Sequence, residues 1–408
     1  MTGTFYKEIK EFTIAKNKLL KNASTIGVEK VKLIDSYKKI LASELISDFD
    51  VPNFDKSPLD GFCFNSKDTI LCNKENPIEL EVIDEIPCGY VSSKIIQKNQ
   101  AIKILTGAKL PKNADCVCRF EDVEYNGKTV KIFKEFKNLE NVIKIGEDIK
   151  KNSLIGKNGD IIDIGMIGIM ASLGIDYVLV YKTPKVGIIS TGSELIELGN
   201  KLLDGKIYNS NRYIFESAFK DLNIDTKFYG IATDSLEKLI DIYSTALKEC
   251  DIILSTGGVS VGDYDLVKYA IEKLGLDIIV DRLDIKPGMS CCMANKNEKF
   301  VFALSGNPMS ALTSFYVVCL PVIKKIMGFC DYENKYFKVI LNNSFDKKNT
   351  VDRFLRCKIV NIDNKTYSEL STDQGNIMIK SMIGCNGFTW IKKGEEALKG
   401  SIHDAFKI

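Results

Sequence analysis

The sequence predicts an α/β multidomain protein: a central, mainly parallel α/β domain, with two β-rich domains and a helical body. Three observations carry this. The chain has 408 residues, and at roughly 150 residues per domain that is two to four domains. Between Lys185 and about Gly328, short apolar runs alternate with segments of helical periodicity, the pattern of a parallel sheet with helices on both faces. On either side of that block the texture is β-like, with short runs broken by turn residues.

In chain order, residues 28–47 carry Val31, Ile34, Leu41 and Leu45 at helical spacing, with Pro52 beyond, and predict an amphipathic helix. From about 51 to 146 the expectation is strands within Ile78–Ile86, Lys94–Leu105 and Asp115–Phe136, with Asn126-Gly127 as a hairpin turn. A helix returns at Asp163–Ser172, with Gly174 just past its end. The α/β block then reads as strands Lys185–Ile189, Lys227–Ile231, Asp251–Leu254, Asp277–Val280 and Phe300–Leu304. Its helices are Asn211–Leu222, Ser235–Glu249, Asp265–Leu274 and Pro308–Leu320. Beyond Gly328, Tyr336–Leu341, Arg353–Ile362 and Gly387–Ile391 read as strands. Four regions follow: a helical body (1–50 and 141–182), a small β domain (51–140), the α/β domain (183–330) and a C-terminal β domain (331–408).

Composition excludes several classes of function. Fifty-six basic residues against 54 acidic ones leave a formal charge of +2, which argues against a protein devoted to nucleic acid or to anionic membranes. The twelve cysteines are scattered, form no C-x-x-C, and sit in a lysine-rich chain whose first ten residues show no apolar leader. They read as reduced, buried thiols of a cytoplasmic protein. The single histidine, His403, rules out mechanisms that need several imidazoles and makes a Ser-His-Asp triad a poor reading. The 24 uncharged residues between Lys299 and Lys324 could span a bilayer by length, but Ser305-Gly306-Asn307-Pro308 and Pro321 divide them. A buried strand followed by a buried helix is the expectation. Gly127-Lys128-Thr129 imitates the end of a P-loop, but Asp122 stands where the first glycine belongs.

The chemistry is expected where three strands of the α/β region end in similar loops. These are Ser190-Thr191-Gly192, then Ser255 through Thr256, Gly257, Gly258 and Ser260 to Gly262, and Ser305-Gly306-Asn307-Pro308. Open parallel sheets bind ligands beyond the carboxyl ends of their strands, and glycine lets backbone approach a ligand. One such loop is merely a tight turn; three in one unit point to an anion pocket. Glu194, Asp234, Asp263 and Asp265 stand beside these loops. Carboxylates tolerate a phosphate only with a cation between them, most often Mg²⁺. The simpler reading, that Asp234 and Asp263–Asp265 cap helices, stays open. Lys286, before Pro287-Gly288, and Arg282 are candidate partners for an oxyanion.

These motifs resemble one family, the molybdopterin molybdenumtransferases, or MoeA proteins, to which the C-terminal domain of gephyrin is related. The matching segments stand in the family's order. They begin with Ser57-Pro-Leu-Asp60-Gly61-Phe62, Leu105-Thr-Gly-Ala108 running to Pro111 and Ala114-Asp115, and Gly146-Glu-Asp148-Ile149. Ser190-Thr-Gly-Ser-Glu194-Leu195 and Tyr208-Asn-Ser-Asn211 follow. Gly257-Gly-Val-Ser-Val-Gly-Asp-Tyr-Asp265, Ile285-Lys-Pro-Gly288 and Ser305-Gly-Asn-Pro-Met-Ser310 complete the set. The resemblance covers residues 28–330 well and the remainder loosely.

The resemblance implies an elongated homodimer that takes molybdate and adenylylated molybdopterin, inserts the metal into the dithiolene and releases AMP. It implies that the loops at Ser190, Thr191 and Gly192, at Thr256, Gly257, Gly258, Ser260 and Gly262, and at Gly306, Asn307 and Ser310 cradle the substrate. It assigns Mg²⁺ to Glu194, Asp234 and Asp265. Asp60, from the second subunit, and Asp148 would line the cleft beside Thr106, and Lys286 and Arg282 would offset anionic charge. A preceding molybdopterin adenylyltransferase would hand over the substrate. Three positions depart from the family pattern: Ser305 for Pro, Met289 for Lys and Ile143 for Arg. Two lost cations leave molybdate against tungstate open, with Arg119 or Lys144 as compensating charges. Two other readings are a non-catalytic scaffold on the same fold and a molybdopterin adenylyltransferase. The combination of acidic and glycine-loop residues opposes the first, and the extra β domains and the Asp60 motif oppose the second.

Overall fold

The computed structural model describes residues 9–233, 235–259 and 266–408. Packing divides the chain into two compact units. One holds the chain up to Ser43, Asn158–Asp163 and Tyr177–Ile408; the other holds Glu44–Lys157 and Ile164–Asp176.

The first unit is organised by a seven-stranded sheet. Its strands are β1 (Ile9–Lys10), β2 (Val186–Thr191), β3 (Thr226–Ala232), β4 (Ile252–Thr256), β5 (Asp277–Leu283), β6 (Ser290–Lys296) and β7 (Lys299–Leu304), in the spatial order β1-β5-β6-β7-β4-β2-β3. All adjacent pairs are parallel except those made by β6, which runs against both β5 and β7. Strands β2, β4 and β7 lie side by side, Val186 opposite Ile252 and Ile252 opposite Phe300, and every residue of β2 and β4 is buried. A strand buried on both faces needs a continuous apolar run, and Val186-Gly-Ile-Ile189 and Ile252-Ile-Leu254 supply it.

Helices cover both faces: α1 (Phe12–Asn22), α2 (Ser210–Asp221), α3 (Leu236–Glu249), α4 (Leu266–Lys273) and α5 (Pro308–Ile326). Pro308 starts α5 in the first turn, where a missing N–H costs nothing. Near Pro321 the helix widens into a π segment over Phe315–Cys319. This helix is long and apolar enough to cross a membrane, but 83% of its most apolar stretch is buried inside the protein, as the sequence predicts. Helix α1, which has no forewarning in the sequence reading, buries Phe12, Ala15, Leu19 and Leu20. Phe12 meets Phe354 and Trp390 edge-on, each at 5.3 Å between ring centres.

The C-terminal strands close into a barrel. Asp352–Ile362, Lys365–Leu370, Phe337–Leu341, Ile402–Lys407 and Gly387–Ile391 pair in that order, and the last pairs back with the first. Closure removes both edges. The short strand Ile285–Lys286 adds to this sheet beside Asp352 and Arg353.

One expectation fails. Residues 28–47 are not an amphipathic helix: Val28–Lys32 is a strand, Leu33–Ser36 a 3₁₀ turn and Leu45–Ile46 a second short strand. Val28–Lys32 pairs antiparallel with Tyr177–Tyr181, Val31 opposite Val178. The apolar spacing of 28–47 mimics a helix, but β-branched Val28 and Val31 suit a strand, and the distant partner decides.

In the second unit a six-stranded sheet contains Gly61–Phe64, Ile78–Ile86, Gln100–Ile104, Cys116–Arg119, Glu124–Tyr125 and Thr129–Ile132. The Lys94–Leu105 run therefore holds a strand only over its last part. At the predicted hairpin, Asn126 Oδ1 accepts from the N–H groups of Lys128 and Thr129 at 2.9 and 2.8 Å. None of the twelve cysteines forms a disulfide, and nine are buried.

Candidate active site

The carboxyl ends of β2, β4 and β7 stand level, Ser190 opposite Thr256 and Thr256 opposite Leu304. The chain therefore leaves all three strands at one rim. Thr191, Gly192, Glu194, Thr256, Gly257, Gly258, Gly306 and Asn307 line one cavity of about 870 Å³. The loops are tied together. Thr191 donates its hydroxyl to the Thr256 carbonyl at 3.2 Å, and the Gly257 N–H donates to the Leu304 carbonyl at 3.0 Å.

Glycine has specific work at two places. A Cβ on Gly257, whose φ is +93°, would sit 2.3 Å from the Thr191 carbonyl oxygen. One on Gly192 would sit 2.4 Å from Glu194 Oε2, so the Glu194 carboxylate folds directly over that glycine. The N–H groups of Gly192 and Gly257 already serve the Ala232 and Leu304 carbonyls. These glycines bring strands and a carboxylate close; the anion donors of the rim must be other groups. The first turn of α2, with Ser210 and Asn211, and the Ser305 hydroxyl are on the wall.

Helix α2 is fixed from below. Asn209, 1% exposed, is its N-cap and accepts from the Arg212 N–H. Its amide reaches Ser190 Oγ at 3.0 Å and Glu197 Oε1 at 2.7 Å. Glu197 receives Arg212, which also bonds Glu216 and lies 4.0 Å from the centre of the Phe228 ring. Ser190 is thus a buried support and not a wall residue.

The cavity's far wall comes from the C-terminal barrel, which the sequence reading does not connect with the site. Ile377 and Ile379 face it from a loop whose Asn376 carbonyl accepts the Met309 N–H of α5 at 3.0 Å. Buried Arg356 holds the preceding turn through the Asp373 and Gly375 carbonyls at 3.1 and 3.2 Å. Ile207, Tyr208, Leu195 and Ser290 also line the cavity; Leu195 and Tyr208 stand in motifs the sequence shows, and Ile207 and Ser290 carry no such signal.

Other candidates lie elsewhere. Ser310 is buried in α5. Arg282 donates to Met289 Sδ at 3.0 Å, and Lys286 is exposed in the short strand beside the barrel; neither lines the cavity. Asp234, Ser260, Gly262, Asp263 and Asp265 lie outside the described residues. Among the described residues no three His, Cys, Asp or Glu side chains cluster as a metal site, and Glu194 is the carboxylate on the wall. Magnesium takes one or two carboxylates together with water and substrate phosphate, so this donor set fits it as a substrate-completed site.

The second unit joins two of the motifs. Asp60 Oδ1 accepts from both the N–H and the hydroxyl of Thr106, each at 2.7 Å. These two bonds, the backbone one first, hold the Asp60 carboxyl below the usual range. Gly61 is required here, since a Cβ would strike the Cys118 carbonyl oxygen at 1.8 Å. Arg119 is exposed directly opposite Gly61 in the sheet, one residue from Asp60. Asp148 and Lys144 are exposed on the Gly146 turn, and Ile143 pairs with Lys56 through backbone alone.

His403 has a triad-like setting, with Ser401 Oγ at 2.8 Å and Glu395 Oε2 at 3.2 Å. However, Ser401 donates its proton to the Leu398 carbonyl at 2.6 Å, and none of the three lines the cavity. The group closes a barrel turn.

Comparison with known proteins agrees with this geometry. A family profile described as MoeA N-terminal region (domain I and II) matches residues 11–174, and one described as probable molybdopterin binding domain matches residues 187–325. The molybdopterin molybdenumtransferase of Staphylococcus epidermidis is 37% identical over 368 residues, covering 88% of each chain. That of Staphylococcus aureus is 33% identical over 376 residues, covering 90% of this chain and 88% of its own. Among solved structures, the molybdopterin biosynthesis MoeA protein of Pyrococcus horikoshii superposes with a TM-score of 0.82 at 27% identity, covering 98% of this chain and 100% of its own.

Proposed function

The chain belongs to the molybdopterin molybdenumtransferase family, and from that membership we propose that it inserts molybdate into adenylylated molybdopterin and releases AMP in molybdenum cofactor biosynthesis. The observation that supports this most is the shared cavity: three strand-end loops of the family pattern, with Glu194, meet on one rim.

In this reading the substrate is molybdate plus a pterin nucleotide, and the protein's part is positioning and charge control. The first turn of α2 and the Ser210 and Ser305 hydroxyls meet the phosphates. Glu194, with Asp234 and Asp265, would hold Mg²⁺. Bound there, magnesium supplies neutralising charge where the anhydride breaks and AMP leaves. Ile377, Ile379 and Tyr208 offer the substrate apolar surface. Asp60, held ionised by Thr106, is suited to a cationic or proton-donating partner rather than to giving a proton itself. Lys286, Arg282 and Asp148 keep their assignments within this proposal, as does the four-region division of the chain.

A homodimer belongs to the same reading. The helix Ile164–Ser172 is apolar on all sides, yet only Met170 is buried and Ile164 is 81% exposed. A helix of that composition calls for a cover. The absence of disulfides accords with a cytoplasmic setting, where an adenylyltransferase would supply the substrate. The test is direct: purified protein given Mg²⁺, molybdate and adenylylated molybdopterin releases AMP and yields cofactor that activates an apo molybdoenzyme. Absence of AMP release with all three present contradicts the proposal.

A further inference from the structure

Two walls of the cavity are joined from behind by side chains that do not line it. Ser190 and Asn209 stand just before Thr191 and Ser210, which do. Ser190 is fully buried and Asn209 is 1% exposed. They exchange two hydrogen bonds: Ser190 Oγ donates to Asn209 Oδ1 at 3.1 Å, and Asn209 Nδ2 donates to Ser190 Oγ at 3.0 Å. The same Nδ2 gives its other proton to Glu197 Oε1 at 2.7 Å. A carboxylate only accepts, so Glu197 decides which end of the Asn209 amide faces it. The second carboxylate oxygen, Oε2, accepts from Arg212 Nη1 at 2.6 Å.

Glu197 also belongs to the Glu194 segment. Leu195–Ile196 runs parallel to Ile207–Tyr208. The Ile207 N–H donates to the Glu194 carbonyl, and the Asn209 N–H to the Ile196 carbonyl, each at 2.9 Å. So short a ladder holds little by itself. The Glu197 side chain continues it past its end, onto the cap of α2 and, through Arg212, onto the helix itself. A carboxylate three residues past Glu194 invites assignment as a second metal ligand. Both of its oxygens already serve protein donors, and neither Glu197 nor Arg212 lines the cavity.

We propose that Glu197 is a positioning residue of the site: through Asn209 and Arg212 it sets the first turn of α2 against the Thr191 and Glu194 loops, and it touches neither substrate nor metal. The substrate's phosphates must meet the helix start on one side and the Glu194 carboxylate, through its cation, on the other. The spacing between those two walls is therefore what the site has to fix, and a misplacement of about 1 Å can cost about 10²-fold in rate. This inference rests on the transferase reading of the cavity.

The test is an exchange of donor and acceptor in the full-length protein. In Glu197→Gln the new amide must face either Asn209 or Arg212 donor to donor. In Asn209→Asp two carboxylates face each other. The double variant restores every bond and keeps the net charge: the glutamine Nε2 donates to the aspartate, and its Oε1 accepts from Arg212. Circular dichroism and melting curves check folding. KM and kcat are measured with adenylylated molybdopterin, molybdate and Mg²⁺, and the dissociation constant of AMP by calorimetry. Each single variant is expected to raise KM and the AMP constant roughly ten-fold or more, and the double variant to return both to within about three-fold of wild type. A double variant no better than the worse single one overturns the proposal, as do single variants that lower only the melting temperature. Recovery of Glu197→Gln by raised Mg²⁺ overturns it too, because Glu197 is then a metal ligand. A wild-type protein that releases no AMP fails the transferase reading itself; failure of the exchange in an active protein fails this inference alone.

Discussion

The carbonyl oxygen of Thr191 and the α-carbon of Gly257 are so close that a methyl group on the glycine would lie 2.3 Å from that oxygen. Backbone, not a movable side chain, fills the space. Gly257→Ala must therefore part the first two rim loops, against both the contact and a φ of +93°. Strain of this kind costs about 1–3 kcal/mol, and the expected result is at least a ten-fold loss of kcat/KM with a lower melting temperature. Gly199→Ala, also at positive φ but facing open space, is the control for backbone strain alone. Equal losses in the two variants would mean that loop contact is unimportant.

Glu194→Gln keeps the shape of the side chain over Gly192 and removes its charge. If Glu194 helps hold magnesium, turnover falls by about 10²–10³ while the melting curve stays put, and raising Mg²⁺ restores part of the rate. Wild-type turnover in the amide variant contradicts that assignment.

Thr106→Val removes one of the two hydrogen bonds that hold the Asp60 carboxyl down. The Asp60 pKa should rise toward the ordinary aspartate value, as read by NMR titration of its carboxyl carbon. The sign for stability follows: a depressed folded pKa stabilises above the unfolded pKa, and that contribution disappears as pH falls through the folded pKa. Wild type should therefore lose more stability at acid pH than the valine variant, which keeps only the backbone bond from Thr106. An unmoved pKa would mean that the Thr106 hydroxyl is not bonded to Asp60 in solution.

Ile164→Lys places a charge on the helix whose apolar sides stand uncovered. If a second copy covers it, sedimentation shows wild type at twice the chain mass and the variant shifted toward 45.6 kDa. A wild-type monomer contradicts the dimer.

Much of the α/β region is legible in sequence because its strands are continuous apolar runs and its helices have clear periodicity. Helix α2 falls within one residue of its expected start, and Ile78–Ile86 matches its strand end to end. The 28–47 segment misleads because its spacing fits a helix, while its true partner is the strand at Tyr177–Tyr181. Strand β6 is invisible for a related reason: Ser290–Lys296 ends in polar residues and turns back against its neighbours. Within the site, the three loops announce themselves through repeated Ser, Thr and Gly. Ile377 and Ile379 do not, because two isoleucines in a polar loop look like ordinary surface until the Asn376–Met309 bond brings the barrel to the cavity.

The most direct measurement is a crystal structure of the protein soaked with AMP and molybdate. The account predicts the AMP phosphate at the mouths of the Thr191, Gly258 and Asn307 loops, within hydrogen-bonding distance of the first turn of α2. Nucleotide density on any other surface, with that cavity holding only solvent, would contradict it.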